Sequence, residues 1–165
     1  MLQPEITDSF YRELATPPQA AQAALAHLDP LHTLVTALEA FGLREQFLTS
    51  RRAREDGAHV YCLVLRLADA PSPMSGADTD LEAFSVPGHL KLVWNVSVEP
   101  GGDGASLISV GLEAAATDST SSRVLLDSWP LLGPLAEERA QHILSVLADY
   151  DEDTEEDLRD ELIAS

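Results

Sequence analysis

The clearest pattern in the chain runs from His89 to Glu99, where Leu90, Leu92, Trp94, Val96 and Val98 share one parity and Lys91, Asn95, Ser97 and Glu99 share the other. A period of two places these sets on opposite faces of a strand, one toward a core and one toward water. Pro100-Gly101-Gly102-Asp103-Gly104 turns the chain, and residues Ala105 to Ala116 are expected to return as its partner. His59 to Leu67 is apolar at both parities until Arg66, with Val60, Cys62 and Val64 on one side and Tyr61, Leu63 and Leu65 on the other. Such a strand belongs in the middle of a sheet, covered on at least one face. Asp56-Gly57 marks a hairpin turn back to a weaker strand within Leu43 to Ala53. Ile6 to Leu14 is a first strand of poor alternation, and Leu81 to Val86 is a short candidate stopped by Pro87-Gly88. The stretch from Ala68 to Asp80, with its prolines, glycine, serines and acids, reads as a loop.

Elsewhere the period is helical. Thr16-Pro17-Pro18 precedes Ala20, Ala21, Ala24, Leu25 and Leu28, an order suited to a capped first turn. Asp29-Pro30 interrupts that series, and Leu31, Leu34, Val35, Leu38 and Phe41 continue as a second helix ending at Gly42. Thr117-Asp118-Ser119 is a cap for the final helical region. There Leu125, Leu126, Trp129 and Leu132 come first, Pro130, Gly133 and Pro134 are expected to bend or break the path, and a long helix from Leu135 carries Ala136, Ala140, Ile143, Leu144 and Leu147. An amphipathic helix needs an apolar surface to cover, and the sheet is the largest one available. The class is therefore α+β.

Length and charge refine this picture. At 165 residues the chain makes one domain large enough to close a core without disulfides. The expected division is a domain over residues 1–148 and an acidic tail over 149–165, frayed by self-repulsion, since 149–161 holds nine acids and one arginine. The formal charge of −18 disfavours nucleic acid and anionic membranes and favours a basic protein partner. The chain shows neither a membrane-spanning apolar run nor a signal-peptide pattern, so a cytoplasmic location is expected.

Candidate chemistry is sparse. Cys62 sits in an apolar run and reads as buried rather than nucleophilic. His27 with His32, and His59 with His89, lack a third ligand at a recognisable metal spacing, so no metal or cofactor is expected. The glycine segment at 100–104 joins two strands and lacks the Gly-Lys-Ser/Thr of a phosphate loop. Tyr61, Trp94, Asn95 and Trp129 form a more informative set, because two strands and the last helix can gather them around an apolar ligand. Their plainer reading is core packing. Arg66 and Arg123, cations in an acidic chain, are candidates for anchoring an acidic group, with local salt bridges as the alternative.

Three stretches, residues 15–31, 86–104 and 106–135, together resemble the SRPBCC group, also called START-like or polyketide cyclase/dehydrase-like proteins, in its bacterial form. The features that carry the resemblance are Glu99-Pro100, Asp103-Gly104, Thr117-Asp118, Ser122-Arg123 and Trp129, in that order. The sequence departs from the pattern at Gly111, Glu113 and Ala115, where charged residues are common, and at Leu125 and Ser128, where aromatics are. The resemblance implies a helix-grip fold, with a curved antiparallel sheet of six or seven strands against a long C-terminal helix and two short N-terminal helices. It also implies a hydrophobic ligand between helix and sheet. The expected function is noncatalytic binding of a small hydrophobic or amphipathic molecule, with Tyr61, Trp94, Asn95, Trp129, Arg66 and Arg123 as ligand-binding residues. Two alternatives stay open: an interaction module using the acidic tail or helix face, and a cyclase or dehydratase using Tyr61, His89 or Asn95.

Overall fold

A computed structural model describes residues 5–32, 34, 36, 40, 47–67, 81 and 86–164, with side chains described as far as residue 148. The strands are β1 (Ile6–Leu14), β2 (Phe47–Ala53), β3 (His59–Arg66), β4 (His89–Pro100) and β5 (Ser106–Ala116), and the helices are α1 (Pro18–Ala26) and α2 (Ser119–Ala164). The sheet is antiparallel throughout, in the order β1-β5-β4-β3-β2.

The alternation along β4 fixes which face is which. Trp94 lies opposite Leu112 of β5 and Tyr61 of β3, and Val96 opposite Val110 and His59. These residues, together with Leu90, Leu92 and Ile108, point to one side. There they join Leu25 of α1 and Leu125, Ala136, Ala140, Ile143, Leu144 and Leu147 of α2 in one core. On the other side Cys62, Val64 and Leu81 form a smaller buried cluster. This explains the two apolar parities of β3, since each face has its own cover.

The helix-over-sheet arrangement agrees with the helix-grip expectation, with two corrections. Among the described residues the sheet has five strands, not six or seven. The candidate strand Leu81–Val86 lies mostly outside the described residues, and its described end, Leu81, is in a 3-10 turn. The loop at 68–80 also lies outside them, as do several residues of the second N-terminal helix, of which His32, Leu34, Thr36 and Ala40 are helical.

The second correction concerns the last helix. Of the expected bend or break at Pro130-Gly133-Pro134, the break is absent: α2 runs as one helix from Ser119 to Ala164, through the acidic run. Each proline removes an N–H and leaves the carbonyl four residues earlier without its helical donor. Those carbonyls belong to Leu126 and Pro130, both exposed residues, where solvent can satisfy a carbonyl that lacks its helical donor. Packing of the flanking turns on the sheet outweighs the helix-interior penalty.

The Thr117-Asp118 pair joins the start of α2 to the start of β4. Asp118 Oδ1 accepts from the Ser121 N–H at 2.7 Å and Oδ2 from the Gly88 N–H at 2.7 Å. Thr117 Oγ1 accepts from the His89 N–H at 2.9 Å, while the Thr117 N–H donates to the His89 carbonyl at 3.0 Å. Hydrogen bonds from the Ser121 N–H, reinforced by the Gly88 N–H, hold the Asp118 carboxyl below the usual carboxylate range. A depressed folded-state pKa means that this contribution is present above the unfolded value and is lost as pH falls through the folded one. Asp118→Ala should therefore lower the urea midpoint at neutral pH, with the difference from wild type shrinking as pH is taken below about 4.

Candidate functional site

Trp94 is the keystone of the space between sheet and helix. It is fully buried, and its Nε1–H donates to the Ala136 carbonyl of α2 at 3.0 Å. The helix comes this close because Ala136 and Ala140, both buried, present small side chains to the sheet. Tyr61 lies directly across from Trp94 and is equally enclosed. At this point the interior is filled by protein.

Tyr61 lies beside a polar corner. Arg51, its register partner on β2, holds its guanidinium 5.8 Å from the ring centroid. Arg51 also donates to the Leu25 carbonyl at 3.2 Å and to the Ala26 carbonyl, closing the C-terminal end of α1. The Tyr61 hydroxyl is buried and has no hydrogen-bond partner among the described residues. Burial raises its pKa to about 12, the Arg51 charge opposing and Asp29 adding to the shift. His59, next on the same face, is held below its ordinary value by burial and by Arg51.

The accessible apolar surface lies further along β3. Where the first turns of α2 pass the ends of β3, β4 and β2, Phe47, Leu65, Leu90, Val124, Leu131 and Leu132 line an open groove of about 350 Å³. Ser128 and Arg66 also border it, although strand parity sends the Arg66 side chain to the other face of β3 with Cys62 and Val64. Leu131 is 77% exposed, and Val124, Leu126 and Leu135 are also exposed on the same half of α2. Holding that much aliphatic surface in water is unfavourable, at roughly 25 cal/mol per Å².

The structure thus separates the residues grouped from the sequence. Tyr61 and Trp94 meet in the filled interior, Trp129 packs half-buried against the same core, and Arg66 lies at the groove. Arg123 is exposed on α2. Asn95 cannot share a site with Trp94, because adjacent strand residues face opposite ways. Instead it lines a shallow polar hollow of about 370 Å³ on the outer face of the sheet, with Ser9, Tyr11, Ser97 and Ser109. His89 is buried, its Nδ1 3.0 Å from the carbonyls of Val86 and Pro87.

The groove residues Val124, Leu131 and Leu132 went unrecognised as a site from sequence. Their signal was available in the run from Val124 to Leu135, which carries more aliphatic positions than one core-facing stripe uses.

No protein-family model matches the chain, and no curated protein matches it. Among solved structures it is similar to a protein of Thermus thermophilus, at 12% identity and a TM-score of 0.44, over 90% of this chain and 99% of that one. It is also similar to a START superfamily protein from Mycobacterium smegmatis, at 15% identity and a TM-score of 0.41, over 92% and 98% of the two chains. A third similar structure is human STARD10, at 14% identity and a TM-score of 0.30, over 93% of this chain and 67% of that one.

Proposed function

We propose that this protein is a noncatalytic binder of a small amphipathic molecule, whose apolar part lies in the groove between the β3 end of the sheet and the first turns of α2. The observation that carries this reading is an aliphatic groove open to water, with Leu131 left 77% exposed. Its volume of about 350 Å³ is at the lower end of the range for small-molecule sites, about 300–1,000 Å³. Ser128 on α2 adds a polar group to a wall that is otherwise aliphatic and aromatic, and the Arg66 side chain, by strand parity, belongs to the other face of β3. Among the described lining residues there is no carboxylate, histidine, lysine or tyrosine, so the groove offers apolar contact rather than proton exchange. This favours binding over acid-base catalysis.

The test uses dodecanoate as the probe, titrated by calorimetry. Wild type should bind it, Leu131→Asp should weaken binding at least tenfold, and Arg66→Ala, on the other face of β3, should leave it close to wild type. Leu131 is mostly exposed, so Leu131→Asp should leave the unfolding midpoint close to wild type. Binding that ignores Leu131→Asp would place the ligand outside the groove.

The division of the chain at residue 148 belongs to the same proposal, with 149–165 a separable acidic segment able to dock on a basic protein. Repulsion among its acids, and their placement toward the negative C-terminal end of a helix, make the segment a poor contributor to stability. A chain ending at residue 148 should keep the full-length unfolding free energy, from urea titration, within about 0.5 kcal/mol. A much larger loss would make the segment part of the fold.

A further inference from the structure

β1 is an outer strand of the sheet, and Thr7, Asp8, Ser9, Tyr11, Arg12 and Glu13 on it are exposed. It presents nine residues without a proline, a lysine or a bulge to its open side, which is the usual template for strand addition. The Ser9 N–H is taken by its own Asp8 carboxylate at 2.8 Å, so the odd-numbered backbone groups of β1 face outward while the even ones serve β5.

We propose that β1 is a self-complementary edge that pairs with β1 of a second copy, antiparallel about a two-fold axis at Phe10. In this register Asp8 lies opposite the second copy's Arg12, and Arg12 opposite its Asp8, giving two ion pairs from one interface. Ile6 meets Leu14, Phe10 meets Phe10, and Thr7 meets Glu13, so no like charges are opposed. Shifting the axis by one residue either way, to Ser9 or Tyr11, loses both ion pairs. The outward Ser9 and Tyr11 backbone groups then bond each other across the axis, which requires odd positions to face out, as the Ser9 N–H does. Pairing frees the Asp8 carboxylate from that N–H and turns it to the partner's Arg12. The arrangement is isologous, as a two-fold contact must be. Tyr11 and Ser9 also line the polar hollow on the outer face, so pairing brings the hollows of the two copies side by side.

A nine-residue ribbon buries less than the roughly 1,200 Å² of a standard interface, and two copies of charge −18 repel each other. The contact is therefore weak, with a dissociation constant of about 0.1–1 mM at 0.15 M salt.

Sedimentation equilibrium of the full chain tests this from about 10 μM to 1 mM. Wild type should show a monomer–dimer equilibrium. Asp8→Arg and Arg12→Asp each oppose like charges at both pairs, and should weaken self-association about 30-fold. Mixed in equal amounts, the two variants oppose unlike charges at both pairs and should form a heterodimer at wild-type strength. Both substituted side chains are exposed, and far-UV circular dichroism with the urea midpoint verifies that each variant is folded. A wild type that stays monomeric throughout, single variants that dimerise as before, or a mixture no more associated than its components would each overturn the proposal.

Discussion

Trp94→Ala is expected to cost about 3–5 kcal/mol in urea unfolding, the largest effect of any single substitution considered. Three losses combine in that figure. The indole is fully buried, so its removal leaves a cavity at the centre of the sheet–helix interface. Its contact with Tyr61 across β3 goes with it. The Ala136 carbonyl also loses the donor it receives from the sheet at 3.0 Å. Trp94→Phe keeps most of the volume and forfeits that hydrogen bond, and should cost about 1–2 kcal/mol. Equal costs for the two substitutions would mean that the bond to α2, and not the packing, dominates.

The second large effect tests the continuity of α2. A helix beginning only at Leu135 would leave Leu125 in a peripheral segment, where truncation is cheap. In the continuous helix Leu125 is fully buried in the same core as Ile143, on the far side of both prolines. Leu125→Ala should therefore cost about 2–5 kcal/mol, in the same range as Ile143→Ala. A loss below about 1 kcal/mol for Leu125→Ala alone would show that the first turns of α2 do not seal the sheet.

Strand identity was legible because burial imposes a period of two on one face, as in β4, and covers both faces of a central strand, as in β3. The Thr117-Asp118 cap was legible for a similar reason, since its side-chain chemistry acts within a few residues of chain. The prolines misled. Their cost is local and readable, whereas the packing that outweighs it comes from distant strands and the hydration of two outward carbonyls. Asn95 shows a different limit. Grouping it with Trp94 treated nearness along the chain as nearness in space, although strand geometry sends neighbours to opposite faces. The groove stayed hidden because its walls come from β2, β3, β4 and α2, and no single element displays the surplus of apolar surface except the run around Leu131. The polar corner of Arg51, Tyr61 and His59 was likewise invisible, being assembled only by the β2–β3 register and the end of α1.

Apolar surface is divided between an interior closed by Trp94 and a groove left open beside Leu131, and methyl-resolved NMR during a dodecanoate titration separates the two. Shifts are expected at Leu65, Leu90, Val124, Leu131 and Leu132, with Leu112, Val110 and Ile143 unmoved. Shifts centred on Leu112 and Ile143, or no shift at any methyl while the protein remains folded, would contradict this division.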